Sequence, residues 1–143
     1  MSDNQKTSQS VLYLRSESIG ADEISRLSAL QFSDSGTRRL CLHNDELSEL
    51  HVMLVEAVAD KAFPRHMHDD GAEVIIVIEG NLELRIWNRG LKAAPTVKKC
   101  SGNKNSINFI DAKTFHDTRP GDGGCIYLEV KSGPFNPDAL IFR

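Results

Sequence analysis

Apolar positions along the chain fall mainly in short runs in which hydrophobic and polar residues alternate. That period of two is the mark of half-buried strands. Residues 11–14, 38–43, 50–59, 73–79, 82–87, 96–99, 107–110 and 125–131 read this way. Turn formers separate them: Asn44-Asp45, Pro64, Asp70-Gly71, Gly80-Asn81, Arg89-Gly90, Ser101-Gly102-Asn103 and the glycine-rich run from Pro120 to Gly124. Only one stretch has helical spacing. Ile24, Leu27 and Leu30 recur at helical intervals, and Asp22 is placed to cap a helix reaching to about Phe32. Short strands at near-regular spacing predict an all-β sandwich or barrel with one short N-terminal helix. The polar residues 1–9 are expected to form a disordered tail, and 10–143 a single domain.

The run at 74–78 breaks the alternation, being apolar on both faces. If Glu73, Ile75 and Val77 face the interior, then Val74, Ile76 and Ile78 face out and need a cover. Either the helix or a second subunit supplies it, and a homodimer is the expectation. In the next run Leu82, Leu84 and Ile86 share one face, and Glu83, Arg85 and Trp87 the other.

Composition narrows the setting. A chain of 143 residues buries roughly 70% of its unfolded surface and needs no covalent staples. Its net charge of -3 argues against a nucleic-acid partner, which leaves a basic footprint. The three cysteines, Cys41, Cys100 and Cys125, form neither a disulfide framework nor a C-x-x-C pair. With no signal-peptide core and no run long enough to cross a membrane, a soluble cytoplasmic protein is expected.

The chemistry concentrates in His66-Met67-His68 and Glu73. Histidines two apart on a strand point to the same side of the sheet. Asp69-Asp70-Gly71 supplies a turn, with both aspartates aimed outward, and Glu73 opens the next strand. A hairpin of this shape brings two imidazoles and a carboxylate to one point, a donor set suited to a divalent transition metal. His116 is a further candidate to close the site. Three neutral imidazoles and one carboxylate would leave a divalent site with a net charge of about +1 and open positions for water or substrate.

These residues resemble the first cupin motif, G-x5-H-x-H-x3,4-E-x6-G. His66, His68, Glu73 and Gly80 fit it, and Asp60 stands in place of the first glycine. Of the second motif, G-x5-P-x-G-x2-H-x3-N, His116 fits, and Asn105, Asp111, Lys113 and Pro120 stand at the other fixed positions. Most of 38–137 is similar to the cupin-fold metalloproteins of the WbuC type, through residues 38–43, 50–53 and 127–135. Val52 stands where an acidic residue is usual in that family. The resemblance implies a cupin-type β-barrel, a jelly-roll-like double-stranded β-helix. It also implies a metal site and a setting among genes for bacterial surface polysaccharide, with no established reaction.

Other polar residues are candidates for holding a substrate. Arg39, Cys41 and His43 alternate with Leu40 and Leu42, and either set could face the barrel. On the functional reading Arg39 and His43 hold an anionic or hydroxyl-rich ligand, with His51, Arg85 and Tyr127 beside them. Cys41 and Cys125 read as small buried hydrophobes, and the run from Pro120 to Gly124 as a hairpin turn. One divalent ion (iron, manganese, zinc or nickel) is the expected cofactor, and a small molecule the expected partner. The first functional reading is a metal-dependent enzyme acting on a sugar or sugar nucleotide; a dioxygenase is its variant. The others are a non-catalytic ligand-binding or sensor module, and a barrel that has lost its metal.

Overall fold

A computed structural model gives the fold and describes residues 8–104 and 107–143. Strands β1 (Val11–Tyr13), β2 (Thr37–Cys41), β3 (Leu50–Ala57), β4 (Phe63–His68) and β5 (Glu73–Ile86) come first, with helix α1 (Ala21–Ser28) between β1 and β2. Then follow β6 (Thr96–Ser101), β7 (Ile107–Ile110), β8 (His116–Ser132) and β9 (Leu140–Phe142). All belong to one nine-stranded sheet that runs β1-β2-β3-β8-β4-β9, with β5 bonded to β6, β7 and β8.

Two long antiparallel strands, β5 and β8, form the spine. The first half of β5 lies between β7 and the second half of β8, which continues into β3. The second half of β5 lies between β6 and the first half of β8, whose other edge carries β4. Each strand therefore serves two faces of the barrel. The change of face falls at Gly80 and Gly124, both at positive φ, where the register shifts. A Cβ on Gly80 would strike the Gly124 carbonyl. The expected turns at Gly80-Asn81 and from Pro120 to Gly124 are thus not turns. Glycine lets one strand bend and continue where the sequence reads as two strands and a loop.

The helix is shorter than expected. Gly20, not Asp22, is its N-cap, and the Glu23 carboxylate accepts the Gly20 N–H at 2.8 Å. At the other end the Arg38 guanidinium donates to the carbonyls of Ser28 and Leu30, at 2.7 and 2.8 Å. Those contacts satisfy the last carbonyls without another turn. The Gln9 carbonyl accepts the Gln31 N–H at 2.9 Å, so the end of the expected tail is tied to the chain after the helix. Residues 1–7 of that tail lie outside the described residues.

Apolar side chains form two layers. Val55, Val77, Leu82, Leu84 and Tyr127 fill the barrel interior. On the outer face Leu27 of α1 packs on Leu40, Leu54 and Ile126. Ile78 reaches this second layer. Val74 and Ile76 stay half-buried beside Phe109 and Ile107, which are 60% and 68% exposed on β7. The helix therefore covers one side of the outer sheet and leaves the other open. Among the described residues no helix is long and apolar enough to cross a membrane.

Candidate metal centre

His66 and His68 lie on β4, Glu73 at the start of β5, and His116 at the start of β8. The H-x-H strand and the glutamate strand are not a hairpin: β4 bonds to β8 and β9, and β5 to β6, β7 and β8. The loop at 69–72 only connects them, with Asp69 and Asp70 exposed as expected. What assembles the site is β8. Its His116 is the direct antiparallel partner of His66, and its Lys131 that of Glu73.

One nitrogen from each histidine and one Glu73 oxygen all lie within 4.8 Å of one another. His66 Nδ1 donates to the Pro64 carbonyl at 2.8 Å and His116 Nδ1 to the Thr114 carbonyl at 2.9 Å. These bonds fix both tautomers and leave each Nε2 lone pair free for the centre. His116 Nε2 lies 2.6 Å from Glu73 Oε1, and His68 Nε2 lies 3.1 Å from Glu73 Oε2. Close as they are, neither nitrogen makes a hydrogen bond of acceptable geometry, although both are buried. Buried polar atoms whose contacts are poorly aligned are costly. A cation at the point they share would satisfy them, so the donor set fits a divalent transition ion.

The electrostatics agree. Burial opposes the charge on Glu73, but His116 and His68 outweigh it and hold the carboxyl well below the usual range. Burial, reinforced by His116, pushes His66 down to about 4 and keeps the ring neutral, the form that ligates. Lys131 Nζ donates to His68 Nδ1 at 3.2 Å. Before ligation His68 therefore carries its proton on Nε2, toward Glu73.

The quartet opens into a cavity of about 330 Å³. Its wall settles which face of β2 points inward: Arg39, Cys41 and His43 line the cavity, and Leu40 and Leu42 pack in the outer layer. His51 and Tyr127 line it too. His43 and His51 stack with ring centroids 4.1 Å apart, and burial lowers both pKa values. The Val52 N–H donates to His43 Nδ1 at 3.1 Å, so Val52 contributes only its backbone there.

Arg85 does not join the cavity. It lies on the opposite face of β5, where its Nε and Nη2 clasp the Asp117 carboxylate at 2.7 and 2.6 Å. The alternation that buries Leu84 and Ile86 turns Arg85 outward. Cys41 and Cys125 are free, buried thiols, pushed up by burial to about 11 and about 12. Asn105 lies outside the described residues.

Among the wall residues that the sequence reading does not single out are Glu129 and Lys131. They follow Tyr127 at alternate positions on β8 and share its inward face. That spacing was available once Tyr127 had been singled out.

No family model matches the chain, and no curated protein matches it either. Solved structures do. KdgF from Halomonas sp. is 15% identical with a TM-score of 0.60, over 76% of this chain and 87% of that one. The capsular polysaccharide assembling protein CapF from Staphylococcus aureus is 17% identical with a TM-score of 0.65. The match covers 78% of this chain but 30% of CapF, so this chain corresponds to a part of that protein. Oxalate decarboxylase from Bacillus subtilis is 17% identical with a TM-score of 0.60, over 74% of this chain and 27% of that one. At these identities the likeness carries the fold alone. It is the cupin-type β-barrel.

Proposed function

We propose that this chain is a metal-dependent enzyme acting on a small polar substrate of the sugar kind. His66, His68, Glu73 and His116 hold one divalent ion. The observation that carries the reading is the convergence of four donors, within 4.8 Å, on the wall of a cavity of about 330 Å³. A ligand pocket starts at about that volume. It suits a single sugar or sugar acid better than a whole sugar nucleotide. Four protein ligands leave open positions on the cavity side, where the ion would supply Lewis-acid polarisation. Arg39, His43, His51 and Tyr127 form the substrate-facing wall.

A place in surface-polysaccharide metabolism rests on the WbuC-type resemblance of most of 38–137, and the capsular polysaccharide assembling protein CapF shares the fold. The free cysteines suit a cytoplasmic setting. The test is a thermal-shift screen of monosaccharides, sugar acids and sugar nucleotides against the zinc-loaded protein, followed by turnover assays on the hits. Stabilisation by a sugar-type ligand that needs both the ion and the four donors supports the reading. A hit that binds but is never turned over favours a sensor, and iron as the native ion would favour oxygen chemistry.

A further inference from the structure

Among the charged groups on the cavity wall that the metal quartet does not use, Arg39 and Glu129 face each other without pairing. Across the sheet the inward rows run Arg39, Val55, Tyr127, then Cys41, Met53, Glu129, Ile75, then His51, Lys131, Glu73. Arg39 is thus separated from the quartet by the row that holds Glu129. Among the described residues its guanidinium donates only to Met53 Sδ, at 3.9 Å. The Glu129 carboxylate makes no hydrogen bond there, and the two do not meet at ion-pair distance. Burial opposes the charge of Arg39, and Glu129 supports it across the gap. Two such groups facing one cavity represent unspent binding capacity.

The charge balance adds a direction. With a divalent ion bound, that ion, Arg39 and Lys131 outweigh the carboxylates of Glu73 and Glu129. Glu46, also carboxylate-bearing, stands exposed at the rim. An anion entering the cavity would meet excess positive charge. A planar guanidinium fork matches a carboxylate in a bidentate pair. Glu129, in the next row, is an acceptor placed for a hydroxyl on a neighbouring carbon.

We infer that the substrate is a small hydroxy-carboxylate, such as a sugar acid, whose carboxylate seats on Arg39 while a hydroxyl meets Glu129. The inference rests on the metal-site reading above and specifies its substrate class.

Calorimetry of the zinc-loaded full chain with glycerate, glycerol and inorganic phosphate tests it. Glycerate should bind more tightly than glycerol by about tenfold or more, as a charge-assisted pair dictates. Arg39→Gln should remove that advantage with zinc stoichiometry unchanged, and Arg85→Gln, on the outer face, should leave it intact. Equal binding of glycerate and glycerol, tighter binding of phosphate, or full glycerate affinity in Arg39→Gln would each overturn the inference. Should Arg39→Gln fail to fold, the same comparison on chelated unmodified protein removes the ion's share of the preference, and equal binding of glycerate and glycerol there would overturn the inference. If zinc does not bind, the same titrations on chelated protein still report on Arg39, so failure of the metal reading is seen separately.

Discussion

His66 and His116 face each other as direct cross-strand partners on β4 and β8, with ring centroids 4.3 Å apart. Each ring is pinned by an Nδ1–H bond to the carbonyl two residues before it. The two rings are therefore oriented with no ion present. His116→Ala removes one of four donors and leaves three, so it should weaken zinc affinity without abolishing binding. Competition titration against a chromophoric chelator measures this. Unchanged affinity would remove His116 from the ligand set.

Much of this was legible in the sequence. The H-x-H-x4-E spacing marked three of the four donors that the fold brings together, and period-two patterning placed Glu73, Ile75 and Val77 on the inner face. The bends were not legible, because glycine inside a strand and glycine in a turn look alike until Gly80 is seen against Gly124. Strand β9 is only Leu140–Phe142, too short for a pattern. Arg85 shows the limit of residue type as a guide. Its chemistry suited a binding site, but its parity on β5 sent it to Asp117.

Departures from the motif glycines have a backbone signature. Asp60 and Lys113, which stand at glycine positions of the two cupin motifs, adopt φ of 60° and 61°. At Lys113 this conformation lets the backbone N–H reach the His68 carbonyl at 2.8 Å, tying that loop to the ligand strand. A left-handed lysine costs roughly 1–2 kcal/mol, part of which glycine's greater chain entropy would offset. Lys113→Gly should therefore raise the midpoint of thermal unfolding. Asp60→Gly should change it less, since aspartate tolerates this region better. A lowered midpoint for Lys113→Gly, measured by calorimetry, would contradict the assignment. The Lys113 contact with Asp69, 3.7 Å between exposed groups, is too weak to mask the effect.

Stability of the chelated protein should fall on mild acidification. Burial lowers His43 and His51 from 6.5, and lowers His66 to about 4. A histidine whose folded pKa is depressed binds its proton more readily when unfolded. Its contribution is complete above 6.5 and is lost as pH falls from there toward the folded value. For His116 burial is outweighed by Glu73 and the pKa is raised, so that residue works in the opposite sense. Glu129, raised by burial, works in the same sense as His116, so three depressed rings stand against two groups and the net effect is a fall. Melting curves from pH 7.5 to 4.5 should show a falling midpoint, with a shallower fall in His43→Gln. A midpoint that stays flat or rises would show that these rings are not held neutral.

The open part of the outer sheet calls for a cover. Val74 and Ile76 lie beside Phe109 and Ile107, beyond the reach of α1. Each such side chain, once buried, contributes on the order of 1.5–3 kcal/mol. Our proposed occupant is the same face of a second copy, giving a two-fold dimer. Ile76→Glu should then yield monomer or insoluble protein. Sedimentation of the unmodified chain checks it, and a monomer at micromolar concentration would rule the dimer out.

The ligand assignment meets its most direct test in the metal content of tag-free protein purified without chelator, unmodified and as the His66→Ala, His68→Ala double variant. One transition-metal ion per chain is expected in the first and none in the second, with the strand signal in circular dichroism preserved. Stoichiometric metal retained by the double variant would contradict the assignment. So would an unmodified protein that takes up no ion even when zinc, iron and manganese are supplied.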